Sequence, residues 1–197
     1  MKELSLIIFV QFFIVSIFGQ STYSDSLQKE RERHQIEFVS EVLDSTEKAH
    51  FKGICYFEID TNLIVDATFK REKGKKFQMP MSKERIVYYQ KYGTLTFIKN
   101  DTLCVLTVYE NLNLKKKKGY EDYLFLPFKD KTSGTLTYGG GRYLDLRKSK
   151  QSTWKIDFNL AYHPYCAYSE RYSCPLVPSE NKIPVEIKAG ECYQGSH

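Results

Sequence analysis

Apolar positions along this chain follow two different rules. From Leu4 to Phe18 they run nearly unbroken, interrupted only by Ser5, Gln11 and Ser16. Beyond Gly53 they come in short bursts of period two, separated by Gly, Pro, Asn and Asp. The first pattern, with Lys2 ahead of it and Gly19, Gln20 and Ser21 behind, predicts a signal peptide over residues 1–20. The run is short for a bilayer span, and no stop-transfer segment follows. The expected protein is exported, periplasmic or secreted, with no membrane span after signal removal; an uncleaved signal anchor is the rival. Between the two patterns, residues 24–43 carry helical periodicity. Leu27, His34 and Phe38, with Ile36, Val39 and Leu43, make a partial apolar face. Ser24 stands as its N-cap, and Asp44-Ser45-Thr46 breaks the pattern.

The bursts of period two predict strands. Ile54–Ile59 and Leu63–Lys70 flank Asp60-Thr61-Asn62 and read as a hairpin. Arg85–Gln90 and Thr94–Lys99 flank Tyr92-Gly93, and Asn100-Asp101 turns the chain into Thr102–Glu110. That last strand is apolar on both faces, which predicts a central position. Tyr123–Phe128, Tyr143–Leu146 and Trp154–Phe158 continue the series, and Ile183–Lys188, entering through Pro184, predicts an edge strand. The expected fold class is mainly β: a single-domain antiparallel barrel or sandwich over residues 21–197, with one N-terminal helix and an irregular Pro/Tyr-rich C-terminal segment.

With 42% hydrophobic and 15% aromatic residues the chain has material for a real core. Much of the net charge of +5 lies in two lysine-rich runs, 70–76 and 115–118, which read as solvated hairpin loops or, alternatively, as attraction to anionic polymer or lipid headgroups. Export, and the lack of helix-turn-helix, RNP or zinc-finger spacing, argue against nucleic acid. The five cysteines are an odd number. Cys55 and Cys104 sit in apolar strand-like runs and read as inert buried thiols. In an oxidising compartment Cys166–Cys174 is the leading disulfide.

Four of the six prolines, Pro164, Pro175, Pro178 and Pro184, stiffen the tail into a strap expected to lie across the sheet. This region carries L-P-F-K-D-K-T-S-G (126–134), T-Y-G-G-G-R-Y-L-D (137–145), D-F-N-L-A-Y-H-P-Y-C-A-Y (157–168), C-P-L-V-P-S-E-N (174–181) and I-K-A-G-E. These strings resemble a bacterial and archaeal family of unknown function, DUF1684. The resemblance covers Leu126 to Glu191 strongly and the N-terminal helix and F-K-G-I-C-Y-F weakly. It implies a one-domain protein of about this length with no established activity. Where the resemblance leads one to expect Asn before the proline, this chain has His163.

Candidate chemistry gathers in the same region. The Gly139-Gly140-Gly141-Arg142 stretch reads as an anion nest or as a plain glycine turn. Asp157 and Asn159 share one face of a strand. With Asp145, Glu180, Asn181 and Glu191 they offer oxygen ligands or an acid/base pair, or else hydrogen bonds to loop backbone. A His163–Cys166 dyad is opposed by the extended geometry that Pro164 imposes, and His163, Cys166, Cys174 and Cys192 match no familiar zinc spacing. No metal is expected, and no cofactor is indicated. The leading reading is a non-catalytic binding module for a small polar or anionic ligand, held by Gly139, Gly140, Gly141, Arg142, Tyr143, Asp157, Asn159 and Tyr162. The alternatives are a hydrolase using Asp157 or Glu180 with Arg142, and a structural envelope protein.

Overall fold

The structure, a computed structural model, describes residues 22–193 in full and residues 2–21 only as helical backbone. The side chains of the expected signal peptide, residues 1–20, fall outside the described residues. Two compact units form, Met1–Gly53 and Ile54–His197.

The first unit holds helix α1 (Lys2–Glu41) and helix α2 (Ser45–His50). The helix expected from Ser24 is real, but Thr22 and Tyr23 are already helical, so Ser24 caps nothing. Leu27, Arg31, Phe38 and Val42 are buried at spacings of four and seven, one stripe of a 3.6-residue period. Ile36 falls off that stripe and is exposed. Asp44 does end α1, but it also starts α2. Its Oδ1 accepts the Thr46 and Glu47 backbone N–H groups at 2.9 Å, and Glu47 answers by accepting the Asp44 N–H at 2.9 Å. This capping box supports one further helical turn and a half, which apolar periodicity does not reveal.

All strands lie in the second unit, a single β-rich domain. They are β1 (Cys55–Tyr56), β2 (Ile64–Arg71), β3 (Lys76–Gln78), β4 (Tyr88–Lys99), β5 (Thr102–Asn111), β6 (Tyr123–Phe128), β7 (Arg142–Arg147), β8 (Thr153–Asp157) and β9 (Glu191–Cys192). Seven form one antiparallel sheet curled into half a barrel, in the order β7-β6-β5-β4-β2-β8, with β3 added to β4. Two local expectations change, and a third holds. Tyr92-Gly93 is no hairpin turn; β4 runs straight through it, and the register against β5 shifts between Lys91 and Gly93, a bulge. Asp60-Thr61-Asn62 is a 3-10 turn, and β1 pairs with β9 instead of β2. Asn100-Asp101 does turn the chain, with φ of 49° and 55° at the two residues, the backbone a two-residue hairpin demands.

The sheet buries one face completely. Leu95 and Phe97 of β4, Leu106 and Val108 of β5, and Leu124 and Leu126 of β6 pack there with Trp154, Ile156 and Phe158. Period-two burial is the reason: alternate residues of these strands point to the same side. On the other face Tyr89, Tyr109, Phe125 and Tyr143 form a smaller cluster with Met79 and Val177. Strand β5 is central, as its two apolar faces predict.

The strap after β8 closes the core. Ile183, Val185, Ile187 and Ala189 alternate inward as expected of a strand, but 183–189 forms no strand ladder. Asn181, fully buried, anchors its start. Strands β5 and β6 share only the pair Tyr109–Phe125, and Pro127 has no N–H to donate. Beside that gap the Asn181 Oδ1 accepts the Thr107 N–H at 2.8 Å, while its Nδ2 donates to the carbonyls of Thr107 (2.8 Å) and Pro127 (2.6 Å). One side-chain amide thus stands in for the missing rungs.

Replacing Asn181 by Ala orphans the buried Thr107 N–H and two carbonyls, and should lower the unfolding free energy by about 3 kcal/mol in urea titration. Asn181→Asp should rescue little, since a carboxylate accepts but cannot donate.

Candidate functional site

Strand β7 begins at Arg142, directly after three glycines, and alternation sends this first side chain into the core. Its guanidinium is wholly buried and turned away from the glycine turn. Nη2 donates to the Ile187 carbonyl at 2.7 Å, Nη1 to the Ala189 carbonyl, and the Asp130 carboxylate lies 3.4 Å away. Asp130 in turn accepts the Ile187 N–H at 2.6 Å and the Thr132 hydroxyl at 2.8 Å. Burial lowers the Arg142 pKa, and Asp130 opposes that. This pair supplies partners for the end of the segment, at Ile187 and Ala189, while the Ile183 N–H and the Val185 carbonyl pair with the backbone of Lys129 and Lys131. Gly141 closes the turn at φ 94°, where an added Cβ would approach the Phe128 carbonyl to 2.6 Å. The stretch Gly139, Gly140, Gly141 is therefore a turn without the cation an anion nest was expected to use. Arg142 is a core arginine, neither a ligand contact nor the oxyanion partner of the hydrolase alternative.

Asn159 is also architectural. It is buried, accepts the Asp60 N–H at 3.0 Å and donates to the Asp60 carbonyl at 2.9 Å. Asp157 caps the 3-10 turn Phe158–Leu160 by accepting the Asn159 N–H at 3.0 Å. Together they clamp the turn before β2 to the end of β8. Glu180 accepts the Tyr109 hydroxyl at 2.7 Å. Tyr143 is buried and donates its hydroxyl to the Pro175 carbonyl, holding the strap down. Tyr162 bridges β7 by exchanging backbone hydrogen bonds with Tyr143.

His163 is buried in a polar knot. Its Nε2 accepts the Tyr138 N–H at 3.2 Å, leaving the proton on Nδ1, which faces the Tyr168 hydroxyl at 3.4 Å. Glu191 accepts both the Tyr168 hydroxyl (2.8 Å) and the His163 backbone N–H (2.7 Å). Burial, with a smaller push from Arg142, holds the His163 pKa down at about 3. The ring is thus neutral, and its 3.5 Å approach to Glu191 is not an ion pair at neutral pH. Cysteine pairing also differs from expectation. The disulfide joins Cys55 to Cys192 across the β1–β9 ladder, while Cys104, Cys166 and Cys174 are thiols. The expected Cys166–Cys174 bond is absent, and Cys55 is not an inert thiol. Closing a loop of 137 residues stabilises the fold by on the order of 5 kcal/mol in the chain-entropy model.

A groove lined by polar side chains lies elsewhere, at the two ends of the sheet. Strands β7 and β8 terminate the sheet order and do not pair with each other. Between them runs an open groove of about 300 Å³, with Asp145 and Arg147 on one wall and Trp154, Lys155 and Asp157 on the other. Because Tyr143 bonds Tyr162 on this edge, the backbone groups of Asp145 and Arg147 also point out of the ladder toward the seam. The Asp145 Oδ1 accepts the hydroxyls of Tyr123 and Tyr162, each at 2.8 Å. Asp145 reaches solvent, yet the concave aromatic wall strips part of its hydration. That desolvation raises its pKa, against the two phenol hydrogen bonds and Arg147. Of the residues expected to hold the ligand only Asp157 lines this groove, joined by Asp145 from the wider set of candidate oxygen ligands, and Tyr162 touches it through Asp145. Arg147, Trp154 and Lys155 carry no local motif, since only sheet curvature brings them opposite β7.

Among the described residues no group of three or more His, Cys, Asp or Glu is arranged to hold a metal ion, and no helix is long and apolar enough to cross a membrane. The molecule belongs, by fold, to the small antiparallel β domains closed by an irregular strap, with a groove between their terminal strands. Residues 49–192 match the family model described as protein of unknown function (DUF1684), and the chain belongs to that family. It is similar to the solution NMR structure of an uncharacterised protein of Haloarcula marismortui, with 31% identity, 91% of this chain and 98% of that chain covered, and a TM-score of 0.69. No curated protein matches it.

Removing the Arg142 guanidinium leaves Asp130 and two carbonyls without their donor. Arg142→Ala should cost about 3–5 kcal/mol in chemical denaturation, with Arg142→Lys recovering only part because an ammonium cannot reach all three acceptors. For His163 the sign follows from its depressed pKa. Below pH 6.5 the unfolded chain binds a proton that the folded chain refuses until about pH 3. Stability should therefore fall on acidification through that window, by at most about 1.4 kcal/mol per pH unit, and be unaffected above it. Urea titrations at several pH values should show His163→Asn losing this share of the slope.

Proposed function

We propose that this is an exported, non-catalytic binding module that takes a small polar ligand in the groove between β7 and β8. The observation that carries the reading is the cupped carboxylate of Asp145, oriented by two tyrosine hydroxyls at 2.8 Å, beside Arg147 and facing Lys155 and Asp157 across a groove of ligand size. Groups of both signs favour a ligand that donates hydrogen bonds to the carboxylates and accepts from the cations, a zwitterion or polyhydroxyl compound, over a simple anion. Arg147 and Lys155 are held by exposed pairs with Asp122 (2.7 Å) and Asp66 (2.9 Å). Such pairs are worth little in water and yield readily to a ligand. The apolar edge of Trp154, stacked on Phe69 at 4.2 Å, gives the groove a rigid floor. The signal pattern at residues 1–20 and the Cys55–Cys192 disulfide support export, because disulfides persist in oxidising compartments.

Trp154 is the chain's single tryptophan, so intrinsic fluorescence reports this groove directly. Titration with free amino acids and monosaccharides should give a saturable change for at least one class. Asp145→Asn should weaken that binding about tenfold or more while the thermal midpoint without ligand stays near wild type. Equal affinity in Asp145→Asn, or no saturable response to either class, overturns the proposal.

A further inference from the structure

The strap holds a pair of thiols that the groove does not use. Cys166 sits in the 3-10 turn Tyr165–Ala167, and Cys174 lies eight residues on. The Cys166 backbone N–H donates to the Cys174 sulfur at 3.2 Å, which holds the second sulfur against Cys166. Their settings differ. Cys174 is buried, with its N–H donating to the Ser82 hydroxyl at 2.9 Å and its carbonyl accepting the Ser82 N–H at 2.8 Å. Cys166 is only half-buried. The adjoining Cys174 thiol holds the Cys166 pKa down at about 6 against partial burial, and the same contact with burial pushes Cys174 up. One sulfur is thus an accessible thiolate, the other a buried thiol that keeps the proton. No imidazole serves Cys166, because His163 is buried, neutral and occupied by Tyr138 and Tyr168. Acyl transfer through Cys166 therefore has no base, whereas a second sulfur is already within reach.

We propose that Cys166 and Cys174 form a thiol–disulfide exchange site, Cys166 attacking and Cys174 resolving, with a low-molecular-weight disulfide as co-substrate. The Cys166 thiolate attacks one sulfur of the disulfide; a mixed disulfide forms at Cys166 and one thiolate leaves with the electron pair of the broken S–S bond. Cys174 gives its proton to solvent, attacks the Cys166 sulfur and expels the second thiolate. The protein dithiol is oxidised by two electrons and the co-substrate is reduced to two thiols. The site stands apart from the groove, so neither reading depends on the other.

The test uses the full chain equilibrated with oxidised glutathione, acid-quenched, alkylated and peptide-mapped, which separates this pair from Cys55–Cys192. Wild type should form a Cys166–Cys174 disulfide that reduced glutathione reverses. Cys174→Ser should trap glutathione on Cys166, and in Cys166→Ser the adduct at Cys174 should form at least about tenfold more slowly. No bridge in wild type, a bridge that resists millimolar dithiothreitol, or equal adduct formation in the two variants overturns the assignment. If a serine variant fails to fold, the alkylation profile of wild-type Cys166 decides. A midpoint near pH 6 supports the site. An ordinary profile centred near pH 8.5 overturns it.

Discussion

A polar backbone group inside the β domain needs a partner, and at β5 and β6 the sheet does not provide one. The ladder between them is a single pair long, Pro127 lacks an N–H, and the strap that crosses there forms no strand of its own. The Asn181 amide fills that gap with three hydrogen bonds, and Arg142 with Asp130 does the same for Ile187 and Ala189 at the end of the strap. The apolar core can close over the strap only because these polar side chains take the place of a neighbouring strand. Burying the carbonyls of 183–189 unpaired would offset much of what Ile183, Val185 and Ile187 contribute by leaving water.

That arrangement decides where chemistry is possible. Arg142, Asn159, Asn181 and Glu191 look functional as residue types, yet each is committed to backbone that would otherwise be orphaned. Polar groups that are oriented without being fully used remain in two places. One is the seam between β7 and β8, where the curled sheet stops short of a closed barrel and Asp145 sits under two phenols. The other is the Cys166–Cys174 contact, where a half-buried and a buried cysteine are held together by one backbone N–H to sulfur hydrogen bond. Both arise at edges, where the strap and the sheet meet imperfectly.

Much of the fold was legible. Strands β5, β6, β7 and β8 fall within a residue or two of their expected bounds because each carries enough period-two contrast to identify itself. The Asn100-Asp101 turn was legible for the same local reason. Gly93 was misread because a glycine between two β runs marks a bulge as well as a turn, and the local sequence does not separate them. The strand expected at Ile183–Lys188 has the right burial and no ladder. Side-chain alternation registers which residues face the core, not whether the backbone finds a strand or an arginine as partner.

By itself, the amino-acid sequence determined the β class, the central position of β5 and the place of the Pro/Tyr tail against the sheet, since these follow from patterns written within a few neighbouring residues. Tertiary structure alone decided that Cys55 bonds Cys192, that Arg142 turns inward, and that Asp145 faces Trp154 and Lys155 across a seam. The physical reason is range. Periodicity is local, whereas the choice among four possible partners for one cysteine, or among several carboxylates for one guanidinium, depends on how the sheet curls and brings together residues far apart in the chain.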